Sequence, residues 1–553
     1  MAHIVKTPCD EGVINAAPQP GKLSQPVTRS SGTWVLVATI LGSSMAFIDG
    51  TVVNVALPVL QKELNATVAD VQWVVEAYAL FLSALILVGG SLGDHYGRRR
   101  IYATGIILFT LASVVCGFAP NVTVLIVARA IQGVGGALLV PGSLAIISAS
   151  FDSEQRGKAI GTWSGFTAIT SALGPVLGGW LVQYASWRWV FFINVPMAII
   201  VLIVLFWRVP ESYDEEDARA RLDWWGALLA TLGLGGVVYG LIEANNLGLG
   251  DPQVILALVV GVASLIAFLI VEARSPNPMV PLSLFRSRTF SGANLLTLLL
   301  YAALGGALFF LPFNLILVQG YSPTAAGAAN LPFILIMFFL SRWSGGLVAR
   351  YGAKLPLIVG PIIAAIGFVL FALPDIGGSY WTTFFPAVVV LGIGMAISVA
   401  PLTTAVMGAV SAHRAGIASG INNAVARTAG LLAVAVLGIV ALLVFSANLG
   451  SQLAALPIPT EIRNMLLAQQ SKLVGIVIPS GLSSTTQAAI QRAIDESFVS
   501  SFRVVMLIAA GLALVSALSS FLLIEGKQAR VETKGPQSSS SLSSPTEVSY
   551  KGE

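Results

Sequence analysis

The stretch that decides the fold runs from Thr289 to Ser341 and reads TFSGANLLTLLLYAALGGALFFLPFNLILVQGYSPTAAGAANLPFILIMFFLS, without one Asp, Glu, Lys or Arg. A helix needs about 20 mostly apolar residues to cross the hydrocarbon core of a bilayer. Gly320, Ser322 and Pro323 divide the stretch into two apolar segments, and the second continues beyond Ser341 to Val348. The sequence therefore predicts two membrane spans here.

The rest of the chain has a similar composition. Apolar residues make up 56% of the 553 residues and charged residues 10%, against roughly 45–50% and about 25% in soluble proteins. The mean hydropathy is +0.84. We predict an all-α polytopic membrane protein with fourteen transmembrane helices. The predicted spans are 34–56, 74–93, 101–118, 122–147, 159–182, 189–207, 224–243, 253–271, 290–317, 325–348, 355–373, 381–408, 414–446 and 503–524.

The positive charges predict the orientation of these spans. Most of the 30 Lys and Arg residues fall on one side of the membrane if both termini are cytoplasmic, as the positive-inside rule requires. We therefore expect a multi-pass protein of the inner (plasma) membrane. The tail 1–33 and the Ser-rich tail 525–553 are then cytoplasmic, and the second is expected to be disordered.

The two halves of the chain repeat one another. Gly90–Gly97 at the end of span two matches Gly345–Gly352 at the end of span ten, and Gly133-Val-Gly135 matches Gly392-Ile-Gly394. Repeated halves with a site at their interface are typical of alternating-access transporters. The predicted units are a six-helix bundle at 34–207, linkers with two extra membrane helices at 208–289, and a pseudo-symmetric six-helix bundle at 290–524 that includes an external loop at 447–502.

Several classes of function are excluded by what the sequence lacks. The net charge of +4 is a topology signal in a membrane protein rather than a sign of nucleic-acid binding. The two cysteines, Cys9 and Cys116, and three histidines have no metal-ligand spacing. No G-x-x-x-x-G-K-[ST] loop for ATP occurs. We expect no cofactor, no metal, no ATP and no enzymatic activity.

Asp49 and Arg129 are charges inside predicted spans. A carboxylate in hydrocarbon costs roughly 2.5–3.5 kcal/mol, so Asp49 should face the bundle interior or water. It could carry a proton or contact a cationic substrate; alternatively it is a packing residue bonded to Thr51 or Asn54. Arg129 stays charged and could tune a carboxyl group; alternatively it extends towards the external interface.

Five motifs occur in order at the ends and centres of the predicted spans. They are Asp49–Pro58, Gly90–Arg100, Arg129–Gly136, Gly174–Gly179 and Gly420–Arg427. With them the chain resembles the major facilitator superfamily over residues 34–524, specifically its fourteen-span drug:proton antiporter branch of the EmrB/QacA type. The second motif departs from the pattern, with Gly93 and His95 where the branch usually has Ala and Arg. Its second-half copy has Ala349 in the place of Asp94.

The resemblance assigns expected roles to particular residues. Proton coupling falls to Asp49 and Arg129. The cytoplasmic gating motif comprises Gly90, Asp94, Gly97, Arg98 and Arg99, although its arginines alone could be topology signals. The antiporter seam comprises Gly174, Pro175, Gly178 and Gly179, whose glycines could equally serve tight packing. The candidates for the substrate cavity are Asn54, Gln132, Asn422, Asn423 and Arg427.

Other polar and aromatic residues are expected at the membrane surfaces. Glu76 and Glu243 are predicted at the interface, within reach of water. An interfacial aromatic belt is predicted for Trp73, Tyr78, Trp187 and Trp189.

The resemblance implies proton-coupled efflux of drug-like, amphipathic or cationic small molecules by alternating access. The expected partners are the small-molecule substrate, protons and the lipid bilayer, with the protein working as a monomer. An envelope adaptor protein stays open as a further partner. Two alternatives stay open as well: an importer of a small metabolite on the same fold, and a non-transporting membrane receptor.

Overall fold

The computed structural model describes residues 29–151, 153–213, 223–275, 278–410 and 415–525. Most of the two predicted tails, and residues 214–222 of the predicted linker, lie outside these ranges. The described residues form fourteen long helices. In chain order they are α1 Arg29–Glu63, α2 Val68–Tyr96, α3 Arg98–Phe118, α4 Val122–Ser150, α5 Ser153–Tyr184, α6 Asn194–Arg208, α7 Trp224–Leu247, α8 Pro252–Arg274, α9 Arg288–Phe313, α10 Leu331–Tyr351, α11 Lys354–Ala372, α12 Tyr380–Gly408, α13 Ala415–Ala455 and α14 Ser484–Leu523.

Six short elements of the described residues lie between these helices, and two of them are 3₁₀ helices at Leu282–Arg286 and Gln470–Gly475. A single turn at Trp189–Phe192 precedes α6, a π-helical turn at Asn314–Val318 continues α9, and a short helix at Pro323–Ala328 leads into α10. A short helix at Thr460–Leu467 lies between α13 and α14. The prediction of an all-α membrane protein is confirmed, because each predicted span coincides with a long helix. Thirteen helical segments of the described residues are long and apolar enough to cross a membrane. Helix α5 coincides with the remaining predicted span, 159–182.

Two six-helix bundles repeat the same pairings. In the first, α4 packs on α2 and α3, and α1 packs on α5 and α6. In the second, α12 packs on α10 and α11, and α9 packs on α13 and α14. Each pair in the second bundle therefore corresponds to a pair eight helices earlier, as the repeated motifs predict.

Glycines of the repeat explain these pairings. A Cβ atom on Gly135 of α4 would lie 2.5 Å from the Phe109 nitrogen of α3, and one on Gly394 of α12 would overlap the Ala364 nitrogen of α11. Only glycine lets the two backbones approach this closely. The glycine that ends each copy of the repeated motif has the same structural role. Gly97 and Gly352 follow the last residues of α2 and α10 with φ of +107° and +75°, a conformation that favours glycine.

The external loop predicted at 447–502 is shorter in the structure. Helix α13 continues to Ala455 and α14 begins at Ser484, where Ser483 caps the helix by accepting a hydrogen bond from the Thr486 nitrogen. Both helices are about 60 Å long, twice the thickness of the hydrocarbon core, so their ends extend beyond it. We call the end of the molecule that carries residues 456–483 the loop end, and the opposite end the tail end.

The two extra helices form a hairpin outside the bundles. Helices α7 and α8 pack closely through glycines, with a Cβ on Gly261 only 2.5 Å from the Val237 nitrogen. Helix α7 also packs on α2 of the first bundle and α13 of the second. The hairpin therefore covers the seam at which these two helices meet.

Contacts between the two bundles lie at the loop end. Gly179 of α5 lies directly against the Pro323 carbonyl ahead of α10, and Gly327 lies against the Pro175 carbonyl of α5. On α2, Gln72 donates a hydrogen bond of 2.7 Å to the Val434 carbonyl oxygen of α13. These close approaches and this hydrogen bond bring the two bundles together near their loop ends.

Candidate functional site

Asp49 lies at the centre of a polar network inside the first bundle. Its Oδ2 atom is 2.5 Å from Nη1 of Arg129, and its Oδ1 atom accepts hydrogen bonds from Gln132 Nε2 at 2.8 Å and Asn194 Nδ2 at 3.3 Å. Arg129 Nη1 also donates to Gln132 Oε1 at 2.8 Å. Arg129 and Gln132 reach the same carboxylate because residues three apart share one face of a helix.

Arg129 is held on its other side by α2. Its Nε donates to the Val74 carbonyl oxygen at 2.9 Å, and its guanidinium carbon lies 4.3 Å from the centre of the Tyr78 ring. Cation–π contacts of this kind favour a charged guanidinium. Helices α1, α2, α4 and α6 therefore all contribute to one site.

This network is closed to solvent. Asp49 is 0% exposed, Arg129 1%, and Gln132 and Asn194 each 0%. A buried ion pair is tolerated when further hydrogen bonds satisfy both partners, and removal of one partner is costly. Asp49 and Arg129 therefore form one buried unit, in which each charge depends on the other for compensation.

The structure shows which partners these residues have, while their predicted roles stay predictions. The carboxylate of Asp49 is hydrogen-bonded to Arg129, Gln132 and Asn194 rather than to Thr51 or Asn54, and Thr51 Oγ1 donates to the carbonyl oxygens of Phe47 and Ile48. Arg129 does not extend towards an interface. Asn194, which α6 contributes, was not predicted, since a single Asn in an apolar segment does not reveal which way it points.

Two residues of the predicted aromatic belt are buried instead. Tyr78 is 6% exposed and packs on Arg129, and Trp187 is 0% exposed and donates from Nε1 to Glu63 at 2.7 Å. Trp189 is 53% exposed, as a belt residue would be. The prediction for Tyr78 and Trp187 is wrong because aromatic rings near span ends also serve as packing and hydrogen-bonding groups.

The gating motif contacts the segment that follows α6. Glu211 accepts a hydrogen bond of 2.8 Å from the Arg99 backbone nitrogen, and its Oε2 atom lies 3.7 Å from Nε of Arg99 and of Arg100. The Arg98 nitrogen donates to the Ser212 carbonyl oxygen at 3.1 Å. A carboxylate at the first turn of α3 satisfies a free amide and complements the helix dipole.

Glu211 lies in the predicted linker region 208–289 and was not singled out as a site residue; the signal that could have identified it is an acidic residue soon after span six in a chain with three arginines at the start of span three. A Cβ on Gly97 would lie 2.9 Å from the Glu211 carboxyl carbon, so this glycine gives the carboxylate its room. Gly90 faces Pro141 at 3.6 Å. The Asp94 side chain lies outside the described residues, and its gating role stays a prediction.

Replacing Glu211 with Ala is expected to destabilise the α2–α3 turn. The first turn of α3 loses a capping acceptor, a change that costs about 0.5–2 kcal/mol, so the thermal unfolding midpoint in detergent should fall. Glu461→Ala, at an exposed site on the short helix of the loop end, is the matched control and should leave the midpoint unchanged. Equal midpoints for the two variants would contradict the capping role.

The antiporter seam makes two different kinds of contact. Gly174 and Gly178 face α1, where a Cβ on Gly178 would lie 2.6 Å from Val52 Cγ2. Gly179 faces the other bundle at Pro323. Pro175 joins this second contact through its carbonyl, against Gly327. The seam is therefore both internal packing and an interface between bundles.

The predicted cavity residues do not form one cluster. Gln132 belongs to the Asp49 network, and Asn422 Nδ2 donates to Thr297 Oγ1 of α9 at 2.6 Å within the second bundle. Asn423 is exposed, Arg427 donates to it at 3.3 Å, and Asn54 is partly exposed. Asn422 is partly exposed as well, so all of the predicted cavity residues except the buried Gln132 keep some exposed surface in this conformation.

The profile of the Major Facilitator Superfamily matches residues 39–435. The chain belongs to the major facilitator superfamily. Its members are transporters rather than enzymes, so this superfamily protein is a multi-pass membrane transporter that acts on small molecules.

Curated members of the superfamily are similar over most of this chain. The "Multidrug resistance protein Stp" of Mycobacterium tuberculosis (strain CDC 1551 / Oshkosh) is 36% identical over 86% of this chain and 88% of its own length. The "Puromycin resistance protein pur8" of Streptomyces alboniger is 38% identical over 74% and 81%. The "Tetracenomycin C resistance and export protein" of Streptomyces glaucescens is 31% identical over 87% and 90%.

Solved structures of the superfamily share the fold at low sequence identity. A bacterial homolog to the human lysosomal transporter Spinster aligns with a TM-score of 0.61 over 90% of this chain and 97% of its own, at 18% identity. The peptide transporter PepTSo aligns with a TM-score of 0.59 at 14% identity, over 90% and 98% of the two chains. The superfamily architecture predicted from the repeat is therefore confirmed.

Proposed function

We propose that the protein exports drug-like, amphipathic or cationic small molecules across the inner (plasma) membrane in exchange for protons. The observation that carries the proposal is similarity over at least three quarters of the chain to several transporters named for multidrug or antibiotic resistance. The excess of Lys and Arg on one side of the predicted spans supports a cytoplasmic tail end and an external loop end.

The Asp49 network is the proposed proton-coupling site. An isolated buried carboxylate would be unstable, and here Arg129 balances it. Protonation of Asp49 weakens this ion pair and frees the guanidinium, which lies against Tyr78 of α2. Because α2 also contacts the second bundle through Gln72, a change at Arg129 has a direct route to the interface between the bundles.

Alternating access is the proposed mechanism of transport. The contacts of Gly179 with Pro323 and of Gln72 with Val434 support a conformation in which the loop end is closed. Rocking of the two bundles breaks these contacts and exposes the central surface to the outside. The exposed Asn423 and the adjacent Arg427 are proposed to line the substrate path at the bundle interface.

The membrane potential supplies sufficient free energy for export. One proton that crosses 100 mV releases about 2.3 kcal/mol. Because 1.36 kcal/mol corresponds to a factor of ten, one proton exchanged for one neutral molecule sustains a concentration ratio of roughly 50. A monovalent cation exchanged for one proton would be driven by the pH difference alone.

Expression in a drug-sensitive host tests this function. We expect lower intracellular accumulation of puromycin or of a cationic dye such as ethidium, with a ratio of up to roughly 50 for a neutral compound. A protonophore should abolish the difference while cellular ATP is maintained. Uptake in place of export would support an importer, and export that survives the protonophore would contradict proton coupling.

A further inference from the structure

Two carboxyl groups converge at the tail end of the α7–α8 hairpin. Glu272 in the last turn of α8 is 2% exposed, and Asp223 immediately precedes α7. Glu272 Oε1 and Asp223 Oδ2 are both buried, and neither has a hydrogen-bond partner among the described residues. A Cβ atom on Gly226 would lie 2.8 Å from Asp223 Oδ2 and 3.1 Å from Glu272 Oε1. The two unpartnered oxygens therefore point towards the same place.

The second oxygen of each carboxyl group is held by a backbone amide. Asp223 Oδ1 caps α7 by accepting a hydrogen bond of 2.7 Å from the Gly226 nitrogen. Glu272 Oε2 accepts one of 3.0 Å from the Val280 nitrogen, in the segment that leads from α8 to α9. Neither carboxyl group can turn its unpartnered oxygen away without losing the hydrogen bond to its amide.

The helix ends place the two groups in opposite electrostatic environments. The N-terminus of a helix stabilises a negative charge, and the C-terminus disfavours one. Asp223 lies at the start of α7 and is partly exposed, so its ionised form is favoured. Glu272 lies at the end of α8 and is buried beside another carboxylate, so its ionised form is disfavoured for three separate reasons.

The described residues of the hairpin and of the segment after it provide no cation for this pair. No ion pair among the described residues includes either carboxyl group. Arg274, Arg286 and Arg288 are all exposed. The one other charged residue of α7 is Glu243, which is hydrogen-bonded near the loop end. An ionised Glu272 would therefore stay uncompensated.

The helices that pack on α7 add no such cation within their described side chains. On α2, Glu76 is 1% exposed, although the sequence predicts a position within reach of water. His95 at the tail end of α2 takes part in no ion pair with a described residue. Arg427 of α13 donates to Asn423 at 3.3 Å. The charge of the converging carboxyl groups must be balanced by something other than these side chains.

A single proton accounts for both unpartnered oxygens. On Glu272 Oε1 it neutralises the group that is disfavoured as an anion, and it provides a donor directed towards Asp223 Oδ2. A divalent metal ion fits less well, because Mg²⁺ and Ca²⁺ take about six or more oxygen ligands. The pair offers only two oxygens, since backbone amides already bind the other two.

The hydrogen bond to Val280 connects this pair with the second bundle. Val280 packs against the large apolar core that contains Phe290 of α9, and Leu284 of the same segment is buried in that core. The rings of Phe285 and Phe290 lie 5.1 Å apart between their centres. A movement of Glu272 is therefore passed through this segment to α9, the first helix of the second bundle.

We propose that Glu272 and Asp223 bind one proton between them, and that this proton holds the tail ends of α7 and α8 together with the segment entering α9. An ionised Glu272 leaves its buried position for water, and its hydrogen bond to Val280 is lost. Because the held arrangement binds the proton more tightly, lower pH favours it and rising pH releases it. In the orientation proposed above, the relevant pH is that of the cytoplasm. The site itself does not depend on drug export.

Hydrogen–deuterium exchange in the segment that carries Val280 tests this site in the full-length protein without any substrate. After correction for intrinsic exchange rates, we expect the wild type to lose protection at residues 278–287 as the pH rises from about 6 to about 10. One bound proton changes the ratio of held to released protein by up to about tenfold per pH unit. In Glu272→Gln, whose amide mimics the neutral acid, protection should stay constant over this range.

Two further variants separate the carboxyl pair from helix capping. Asp223→Asn removes the second carboxylate but keeps the cap, since asparagine caps helices as well as aspartate does, and its protection should also be independent of pH. Asp251→Asn is the matched control, because Asp251 caps α8 at the other end of the hairpin through the Gln253 nitrogen at 2.8 Å. It should respond like the wild type. Constant protection in the wild type, or a wild-type response in Glu272→Gln, would overturn the proposal.

Infrared spectroscopy and metal ions identify the occupant of the site. The wild type at about pH 6 should show a carbonyl-stretch band of a protonated carboxyl group that Glu272→Gln loses and Asp251→Asn retains. Its absence in the wild type would reject the proposal even if the variants failed to fold. Millimolar magnesium or calcium should leave the exchange unchanged, and protection restored by either ion at high pH would show a metal site instead. Because no measurement here involves export, this proposal and the proposed function can fail separately.

Discussion

Replacing Asp49 with Asn is expected to abolish proton release driven by substrate in inside-out vesicles. The variant removes the titratable group and leaves Arg129 buried with only neutral partners. Breaking a buried pair by removal of one partner typically costs about 3–5 kcal/mol, so the thermal stability in detergent should fall as well. Insertion into the membrane should be preserved, because the spans themselves are unchanged. A pH-sensitive dye measures the proton release, and a thermal unfolding curve in detergent measures the stability.

A double variant separates the two effects of this change. Asp49→Asn combined with Arg129→Gln removes both charges, so we expect it to recover much of the lost stability but none of the proton release. Glu461→Gln, which removes an exposed carboxylate from the short helix at the loop end, should retain both properties. Full proton coupling in Asp49→Asn would exclude this carboxylate from the mechanism.

Replacing Gly179 with Ala is expected to hold the loop end open and to reduce export by roughly fivefold or more. In the closed state the new methyl group would overlap the Pro323 carbonyl, which is backbone and cannot turn away as a side chain could. Overpacking of this kind costs typically 1–3 kcal/mol, and each 1.36 kcal/mol changes the closed-to-open ratio tenfold. Spin labels at Thr123 on α4 and Thr382 on α12, both exposed near helix starts at the loop end, should report the longer distance, and efflux assays should report the lower rate.

Two neighbouring glycines supply the controls for this prediction. Gly178→Ala meets Val52 of the same bundle, so it should lower the stability of that bundle without favouring the open state. Gly50→Ala has no atom within 4 Å of the added carbon and should behave like the wild type. A Gly179→Ala protein with the same distance between the two spin labels as the wild type would contradict the assignment of this glycine to the interface between the bundles.

Much of the architecture follows from the sequence because membrane spans obey a simple constraint. A backbone in hydrocarbon must satisfy its own hydrogen bonds, so every long apolar stretch becomes a helix. The repeated glycines at Gly135 and Gly394 predict the repeated bundles for an equally direct reason, since each permits close packing of two helices. The ends of α13 and α14 were not predicted, because polar residues outside the membrane can continue a helix that apolar residues begin.

The chemistry of the Asp49 network could be predicted, but not its geometry. A carboxylate and an arginine in separate spans indicate a polar centre, and the structure pairs them. The sequence does not show that Asn194 and Tyr78 join them, because both occur among apolar residues that could face lipid or protein. The burial of Glu76 escaped prediction for a related reason: it depends on α7 and α13, which are distant in the chain.

The hairpin of α7 and α8 makes the exterior of the molecule unequal on its two flanks. It covers the junction of α2 with α13, whereas the junction of α5 with the segment entering α10 lies at the other place where the bundles meet. A hydrophobic compound dissolved in the lipid leaflet therefore encounters an extra helical wall on one flank. Lateral entry from the bilayer would accordingly be directed to the flank that no described helix of the hairpin covers. The pseudo-twofold symmetry of the bundles therefore does not extend to the routes by which a hydrophobic molecule could reach the bundle interface.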